Sequence, residues 1–365
     1  MGGPGLAVRR QADAREHFLL IVQGEQAGQR LPFGRTPLVL GRRTGCDVVL
    51  ADAEISGRHC EVVAKGYQGD ALVTDLGSTN GTFVDGKRVQ GSARLTNGAM
   101  LRLGGTLIKH EYRLASEIAQ SQEMDRDLEK ANHYVQSLLP EPISQGPVCT
   151  DWHFQPSAKL GGDAFGYQWL DAHRFVAYLV DVSGHGAGAA MHSVSVMNVL
   201  RQRALPQTDC GDPAAVLASL NTMFQMDSHD GMYFSIWYGA YDTRTRTLAY
   251  ASAGHHPAFL AQPGAQELQA LQTRNLVIGA APSPRFVAGQ VPVAPGSQLH
   301  VFSDGVFEIT SDQGRQWGLA DFLPLLRGAG APDGQQGRRL HQAVTAAARP
   351  GPLEDDFSML TVLFN

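Results

Sequence analysis

The stretch "LVDVSGHGAGAA", Leu179 to Ala190, decides how the second half of this chain is read. It continues the apolar run Phe175-Val176-Ala177-Tyr178-Leu179-Val180, so a buried strand ends at Asp181 and the chain turns through Gly184, Gly186 and Gly188. Glycine lets the backbone approach a ligand closely, and three ligands compete for such a turn: a phosphate, a nucleotide or a metal. A phosphate-cradling P-loop needs Gly-Lys-Ser/Thr, and the stretch has no Lys. A dinucleotide fingerprint needs a third Gly at a fixed offset and an acid about twenty positions on. Here the glycine spacing is wrong, and Asn198 and Arg201 stand where the acid belongs. A hard cation remains, because a carboxylate beside bare glycine backbone offers oxygen ligands at close range.

One carboxylate does not hold such an ion, and partners recur along the chain. "KLGGDAFGY" supplies Asp163, "LHVFSDGVFE" supplies Asp304 ahead of Gly305, and "LEDDFSMLTVLF" supplies Asp355 and Asp356 ahead of the last apolar run. Mg²⁺ and Mn²⁺ favour all-oxygen sites that keep several waters, and paired ions activate a water while neutralising a phosphoryl group.

The rest of the composition bounds the answer. With 365 residues and 43% hydrophobic content, two domains joined by a linker are expected. No apolar run approaches the roughly 18 to 20 residues that span a bilayer, and "MGGPGLAVRRQADAREHF" has no signal-peptide core. No membrane insertion and a cytoplasmic location are therefore expected. Cys46, Cys60, Cys149 and Cys210 lie far apart without a CxxC pair, which suits reduced thiols. Residues 1–113 carry a net +4 and the remainder −9, so an anion suits the front of the chain and cations the back.

From Phe18 to Leu114, short apolar runs such as "FLLIVQ", "HCEVVAK" and "ALVTDLG" alternate with Gly, Asn and Asp turns, the pattern of an all-β sandwich. "ASEIAQSQEMDRDLEKANHYVQSLLP" then runs without Gly to Pro140 and reads as a linker helix. Its apolar positions recur only approximately at helical spacing, which leaves a coiled-coil seam and a homodimer open. Beyond Val148, strands alternate with helices expected at Ala187–Arg203, Pro213–Met226 and Gln335–Ala348, a mixed α and β domain. Met191, Val194, Val196, Met197 and Leu200 form the expected buried stripe of the first of these helices. The Gly/Ala/Pro-rich patch at Arg327–Gly337 reads as a loop.

Three clusters in the front half fall at strand ends: "LGRRTGCDVVL", "ISGRHCEV" and "DLGSTNGTFVDGKRV". They offer guanidinium groups at Arg42 and Arg58, hydroxyls at Ser56 and Thr79, and an amide at Asn80, an inventory that suits a phosphate monoester on a peptide. Their order resembles the forkhead-associated (FHA) domain, a phosphothreonine-peptide reader. The resemblance implies that Arg42 and Ser56 contact phosphate with Arg58 and Thr79 nearby, that Asn80 holds the peptide main chain, and that His59 braces the loop. Gly57 departs from it, standing where many FHA domains carry a basic residue. The implied partner is a phosphothreonine protein, a Ser/Thr kinase or its target. No basic stripe interleaved with aromatics argues for nucleic acid. Lys87 and Arg88 read as a solvated hairpin edge.

The back half resembles the metal-dependent PPM-type phosphatases of the SpoIIE/RsbU branch. Five segments carry the resemblance in order: "GGDAFGY", "LVDVSGHGAGAA", "YASAGHHPAFL", "VFSDGVFEITSDQGRQWG" and "EDDFSML". It implies an α+β domain, an αββα sandwich, with two divalent ions, Mn²⁺ or Mg²⁺. Asp181 would bridge them and the Val182 carbonyl complete one of them. Asp304 and Asp355 would bind the other ion, Asp163 a metal or its water, and Asp356 is the weaker of its pair. A lone Asp at a strand end is usually a turn former; four in this order reverse that reading. His185 stays open between general acid and turn residue. His255 and His256 are expected to brace a loop, because adjacent side chains point apart and no Cys accompanies them.

The chain is therefore expected to be multidomain: a flexible N-terminus (1–17), an FHA domain (18–114), a helical linker (115–147) and a phosphatase domain (148–365). The resemblance implies hydrolysis of phosphoserine or phosphothreonine on a partner protein, an anti-sigma-factor antagonist by analogy, through metal-activated water and without a phosphoenzyme. A non-catalytic scaffold is the alternative. Its warrant is Ala164 and Gly166, which stand where relatives carry an aromatic residue and an acid.

Overall fold

The computed structural model describes residues 15–65, 69–184, 186–228, 231–328 and 334–365. Residues 1–14, most of the expected flexible N-terminus, lie outside them. The chain divides into two compact units, one ending at Arg126 and the other running Asp127–Asn365.

The first unit holds β1 (Arg15–Gln23), β2 (Arg30–Phe33), β3 (Leu38–Gly41), β4 (Val48–Val49), β5 (Cys60–Lys65), β6 (Asp70–Asp75), β7 (Thr82–Val84), β8 (Lys87–Arg88), β9 (Ser92–Leu95), β10 (Met100–Leu103) and β11 (Thr106–Leu114). They form two sheets, β2-β1-β11-β10-β7-β8 and β4-β3-β5-β6-β9, antiparallel except for the β3–β4 pair. Alternation decides the packing: Leu19 and Ile21 from β1, Val62 from β5 and Val73 from β6 meet between the sheets, each fully buried. The first strand begins at Arg15, three residues before the expected Phe18, because Arg15 to His17 pair with Leu114 to Tyr112.

Helix α1 (Ala115–Ser137) follows, with Met124 and Tyr134 exposed, and ends three residues before Pro140. The second unit is built from β12 (Val148–Gln155), β13 (Asp163–Trp169), β14 (Arg174–Val182), α2 (Ala187–Arg201), α3 (Pro213–Met223), β15 (Phe234–Asp242), β16 (Thr247–Ala253), β17 (Ala258–Ala261), β18 (Gln269–Leu271), β19 (Gly289–Pro292), β20 (Ser297–Phe302), α4 (Leu319–Gly328), α5 (Gln336–Ala347) and β21 (Phe357–Phe364). Its two antiparallel sheets run β13-β14-β15-β16-β19 and β12-β21-β20-β17-β18. Helices α2 and α3 cover the first sheet, and α4 and α5 the second. The layers are α, β, β, α, as the resemblance implied.

Strand β14 shows why the sheets stack. Phe175, Ala177 and Leu179 enter the core between the sheets, whereas Val176, Tyr178 and Val180 enter the core under α2 and α3. Each fully buried large side chain contributes roughly 1.5–3 kcal/mol. Helix α3 is capped by Asp212, whose carboxylate accepts from the N–H groups of Ala214 and Ala215 at 3.0 and 3.2 Å, with Pro213 in its first turn. One expectation fails on α2: Met191 is 72% exposed, and the buried stripe runs through Ala190, Ser193, Val196, Met197 and Leu200. Helix α4 was not expected; it carries Pro324 and is preceded by a turn in which Asp321 accepts from the Gly318 N–H at 2.9 Å.

Candidate functional site

The stripe that buries Phe175, Ala177 and Leu179 between the sheets reaches Asp181 two residues later, on the same face. Asp163 opens β13 directly opposite Asp181 in the antiparallel register, so two carboxylates stand side by side at one end of the inter-sheet space. The facing sheet brings the others. Ser303 and Asp304 follow β20, and Asp355 and Asp356 precede β21. Ser358 of β21 donates its hydroxyl to Asp163 Oδ2 at 2.5 Å, a hydrogen bond that ties the two sheets together.

Asp181, Asp304, Asp355 and Asp356 line one cavity of about 220 Å³ with Val182, Gly162 and Tyr233, and its lining contains no Lys or Arg. Such crowding is costly. Burial, then the charges of Asp304, Asp355 and Asp356, push the Asp181 carboxyl up to about 7. Burial, with Asp181 and Asp356, holds Asp163 well above the ordinary carboxylate range, and burial raises Asp304 as well. Asp163 does not line the cavity; its carboxyl is buried and accepts from Ser358.

An all-oxygen, all-anionic ring suits a hard divalent cation. Among the described residues, no three His, Cys or acidic side chains cage an ion by themselves. The backbone adds an acceptor: a Cβ on Gly162 would stand 2.9 Å from the Val182 carbonyl oxygen and 3.3 Å from that of Gly184, so glycine there keeps both oxygens open. Gly184 itself adopts φ +93°, the left-handed region that favours glycine.

Asp356 is engaged differently from its neighbours. Its Oδ1 accepts from the Ser157 N–H at 2.8 Å and its Oδ2 from the Gly162 N–H at 2.7 Å, so it pins the loop that leads into Asp163. A Cβ on Gly161 would stand 2.3 Å from that Oδ2, and one on Gly305 would stand 2.3 Å from the Asp356 carbonyl oxygen. Sequence reasoning missed Glu308. The turn that starts at Asp304 sends the Glu308 N–H back to the Asp304 carbonyl at 2.7 Å, and burial with the charges of Asp304 and Asp355 raises the Glu308 carboxyl. The four-residue spacing in "DGVFE" was the available signal.

The histidines differ from expectation in one respect. The rings of His255 and His256 do not point apart but lie 4.3 Å apart between centroids, because each turns Nδ1 to the next carbonyl, of His256 and Pro257, at 2.8 and 3.0 Å. His256 also packs on Phe302 and Phe307, which flank Asp304 in the chain. His185 lies outside the described residues.

In the first unit, three loops meet. Arg42 donates its N–H to the Ser56 carbonyl at 3.0 Å, and Ser56 Oγ accepts from the Thr79 N–H at 3.0 Å and lies 3.4 Å from the Thr79 hydroxyl. His59 joins the loops: its Nδ1 accepts from the Ser56 N–H at 3.1 Å, which leaves the proton on Nε2 to be donated to the Gly81 carbonyl at 3.2 Å. Asp75 holds the Ser-Thr-Asn-Gly turn by accepting from Gly77, Ser78 and Thr82; burial pushes its pKa up, but these hydrogen bonds outweigh that and bring it down to about 2. Asn80 donates its amide to the Glu54 carbonyl at 2.8 Å, and the side chains of Arg42 and Arg58 are exposed. Arg88 is exposed too, but its guanidinium lies over Gly81: a Cβ there would stand 2.7 Å from Arg88 Nε.

Known proteins match both units. The family described as Stage II sporulation protein E (SpoIIE) matches residues 171–365, more than half of the chain, and the FHA domain family matches residues 38–104. Over 191 residues the chain is 30% identical to the phosphoserine phosphatase RsbP of Bacillus subtilis, covering 51% of this chain and 46% of that protein. Over 111 residues it is 35% identical to the FHA domain-containing protein FhaB of Mycolicibacterium smegmatis, covering 29% of this chain and 70% of that one. The chain thus spans about half the length of RsbP. In fold, it is similar to the SiaA-PP2C domain of Pseudomonas aeruginosa with a TM-score of 0.58 at 22% identity, over 68% of this chain and 99% of that one. A phosphatase domain with a regulatory fragment of SpoIIE from Bacillus subtilis gives 0.51 at 17% identity, over 83% and 82%. With its carboxylate-lined cavity between two sheets and a family match over residues 171–365, which hold Asp181, Asp304, Asp355 and Asp356, the chain belongs to the SpoIIE family and carries an FHA domain ahead of it.

Proposed function

We propose that this protein is a metal-dependent serine/threonine protein phosphatase whose FHA domain binds a phosphothreonine segment, for recruitment or regulation. The observation that carries the reading is the cavity between the sheets, where Asp181, Asp304 and Asp355 gather without a cationic side chain. Two divalent ions, Mn²⁺ or Mg²⁺, fit those carboxylates and the Val182 carbonyl; when bound, such ions act as Lewis acids and lower the pKa of water toward 7. The chain's own residues do the rest. Asp356 fixes the loop at Gly162, Ser358 orients Asp163, and Tyr233 at the cavity wall limits what reaches the carboxylates.

A phosphorylated anti-sigma-factor antagonist is the substrate class by family analogy. The FHA loops would take a phosphothreonine on a kinase or on a kinase's target, with Arg42, Ser56, Arg58 and Thr79 around the phosphate and Asn80 on the peptide backbone. Exposed Met124 and Tyr134 on α1 support a homodimer through this helix, which sedimentation of the full chain against Met124→Glu would test. The scaffold alternative rests on Ala164 and Gly166. Gly166 has its own packing reason: a Cβ there would stand 2.4 Å from the Tyr178 hydroxyl oxygen. The test is p-nitrophenyl phosphate with Mn²⁺. Turnover abolished both by chelator and by Asp181→Asn supports the phosphatase; no turnover by the wild type leaves the scaffold.

A further inference from the structure

The FHA loops hold more positive charge than Arg42 and Arg58 supply. Arg43 follows Arg42 on the same loop, is exposed, and runs against the Ser56 loop: its N–H donates to the Gly57 carbonyl at 3.0 Å, beside the Arg42–Ser56 hydrogen bond. Cys46 pins it from behind, sending its N–H to the Arg43 carbonyl and its thiol to the Gly57 carbonyl, both at 3.0 Å.

Position 57 does not need glycine. Its backbone is not in the left-handed region, and the nearest atom to an added Cβ is the Arg43 Cβ at 3.8 Å, an ordinary contact. What glycine does there is leave space. The Arg43 Cβ therefore stands beside the ground that a side chain at 57 would occupy, one residue from Ser56. Among the described residues, none of Arg42, Arg43 and Arg58 has a carboxylate within ion-pair distance, although Arg94 and Arg30 elsewhere in this unit are paired. A phosphate monoester near neutral pH carries close to two negative charges and three acceptor oxygens, more than one guanidinium fork satisfies.

Resting on the phosphothreonine reading above, we propose that Arg43 is a phosphate-binding residue of this module, its guanidinium filling the space left by Gly57 and sharing the phosphate with Arg42. The test is fluorescence anisotropy of the full-length protein with a degenerate phosphothreonine peptide library and its unphosphorylated twin. Wild type should prefer the phosphorylated library, and Arg43→Gln should weaken that binding roughly tenfold to a hundredfold, the size of a lost charge-assisted contact. Arg43→Lys should fall between them, keeping the charge but not the fork. Adding Gly57→Arg to Arg43→Gln should restore most of the affinity, because the new side chain starts 3.8 Å from the Cβ of residue 43. Melting temperatures should stay unchanged throughout. Phosphate-dependent binding that survives Arg43→Gln, or a loss that Gly57→Arg does not repair, overturns this assignment alone. A wild type indifferent to phosphorylation overturns the phosphothreonine reading and this assignment with it.

Discussion

Asp181 is held in the folded chain against its own electrostatics. Its carboxyl is pushed from the usual range up to about 7, so above that pH the ionised group opposes folding until a cation arrives. In chelator at pH 8, Asp181→Asn should therefore melt roughly 3 °C or more above wild type, since a kcal/mol shifts a domain of this size by about that much. Mn²⁺ should reverse the order by stabilising wild type through binding; a metal-free variant that melts lower contradicts the crowding. Gly162→Ala places a Cβ 2.9 Å from the Val182 carbonyl and should weaken Mn²⁺ binding, read by calorimetry, by about tenfold or more. Unchanged affinity would remove Val182 from the site. The acidic motifs were legible in the sequence because each ends or begins an apolar run. Glu308 was not, because its place beside Asp304 depends on a tight turn, and the exposure of Met191 was not, because the helical phase of α2 is set by which side meets the sheet.

Among elements, the ends of β13, β14, β20 and β21 carry the site, and the Ser358 hydroxyl joins β21 to β13 across the sheets. Ser358→Ala leaves the buried Asp163 carboxyl without that donor and should cost about 1–3 kcal/mol, seen as a lower urea midpoint with an unchanged slope. No change in the midpoint would show that this bond contributes nothing to the sandwich. Strand periodicity was readable wherever side chains alternate between two cores, as along β14. Helix α4 was not, because Pro324 inside it reads as a breaker until packing of Phe322 and Leu326 against the second sheet outweighs the cost. The side-by-side rings of His255 and His256 likewise follow from local carbonyl partners that no spacing reveals.

At the scale of the molecule, acid acts in two opposite ways. Burial lowers His256 and His300 to about 4 and His255 well below its usual value, so their contribution is intact above about 6.5 and is lost as pH falls toward 4. For His300 alone that is roughly 3 kcal/mol. Asp181 runs the other way, because protonation below about 7 relieves its repulsion. In chelator, stability should therefore fall more steeply between pH 7 and 4 in Asp181→Asn than in wild type; a steeper fall in wild type would contradict these assignments.

The central claim is that acids from three separate segments converge on one cavity to hold hard cations, and the most direct measurement is anomalous diffraction from crystals soaked in Mn²⁺. The account predicts manganese peaks within coordinating distance of Asp181, Asp304 and Asp355, absent from Asp181→Asn crystals. A wild-type cavity without peaks at millimolar Mn²⁺ would contradict it.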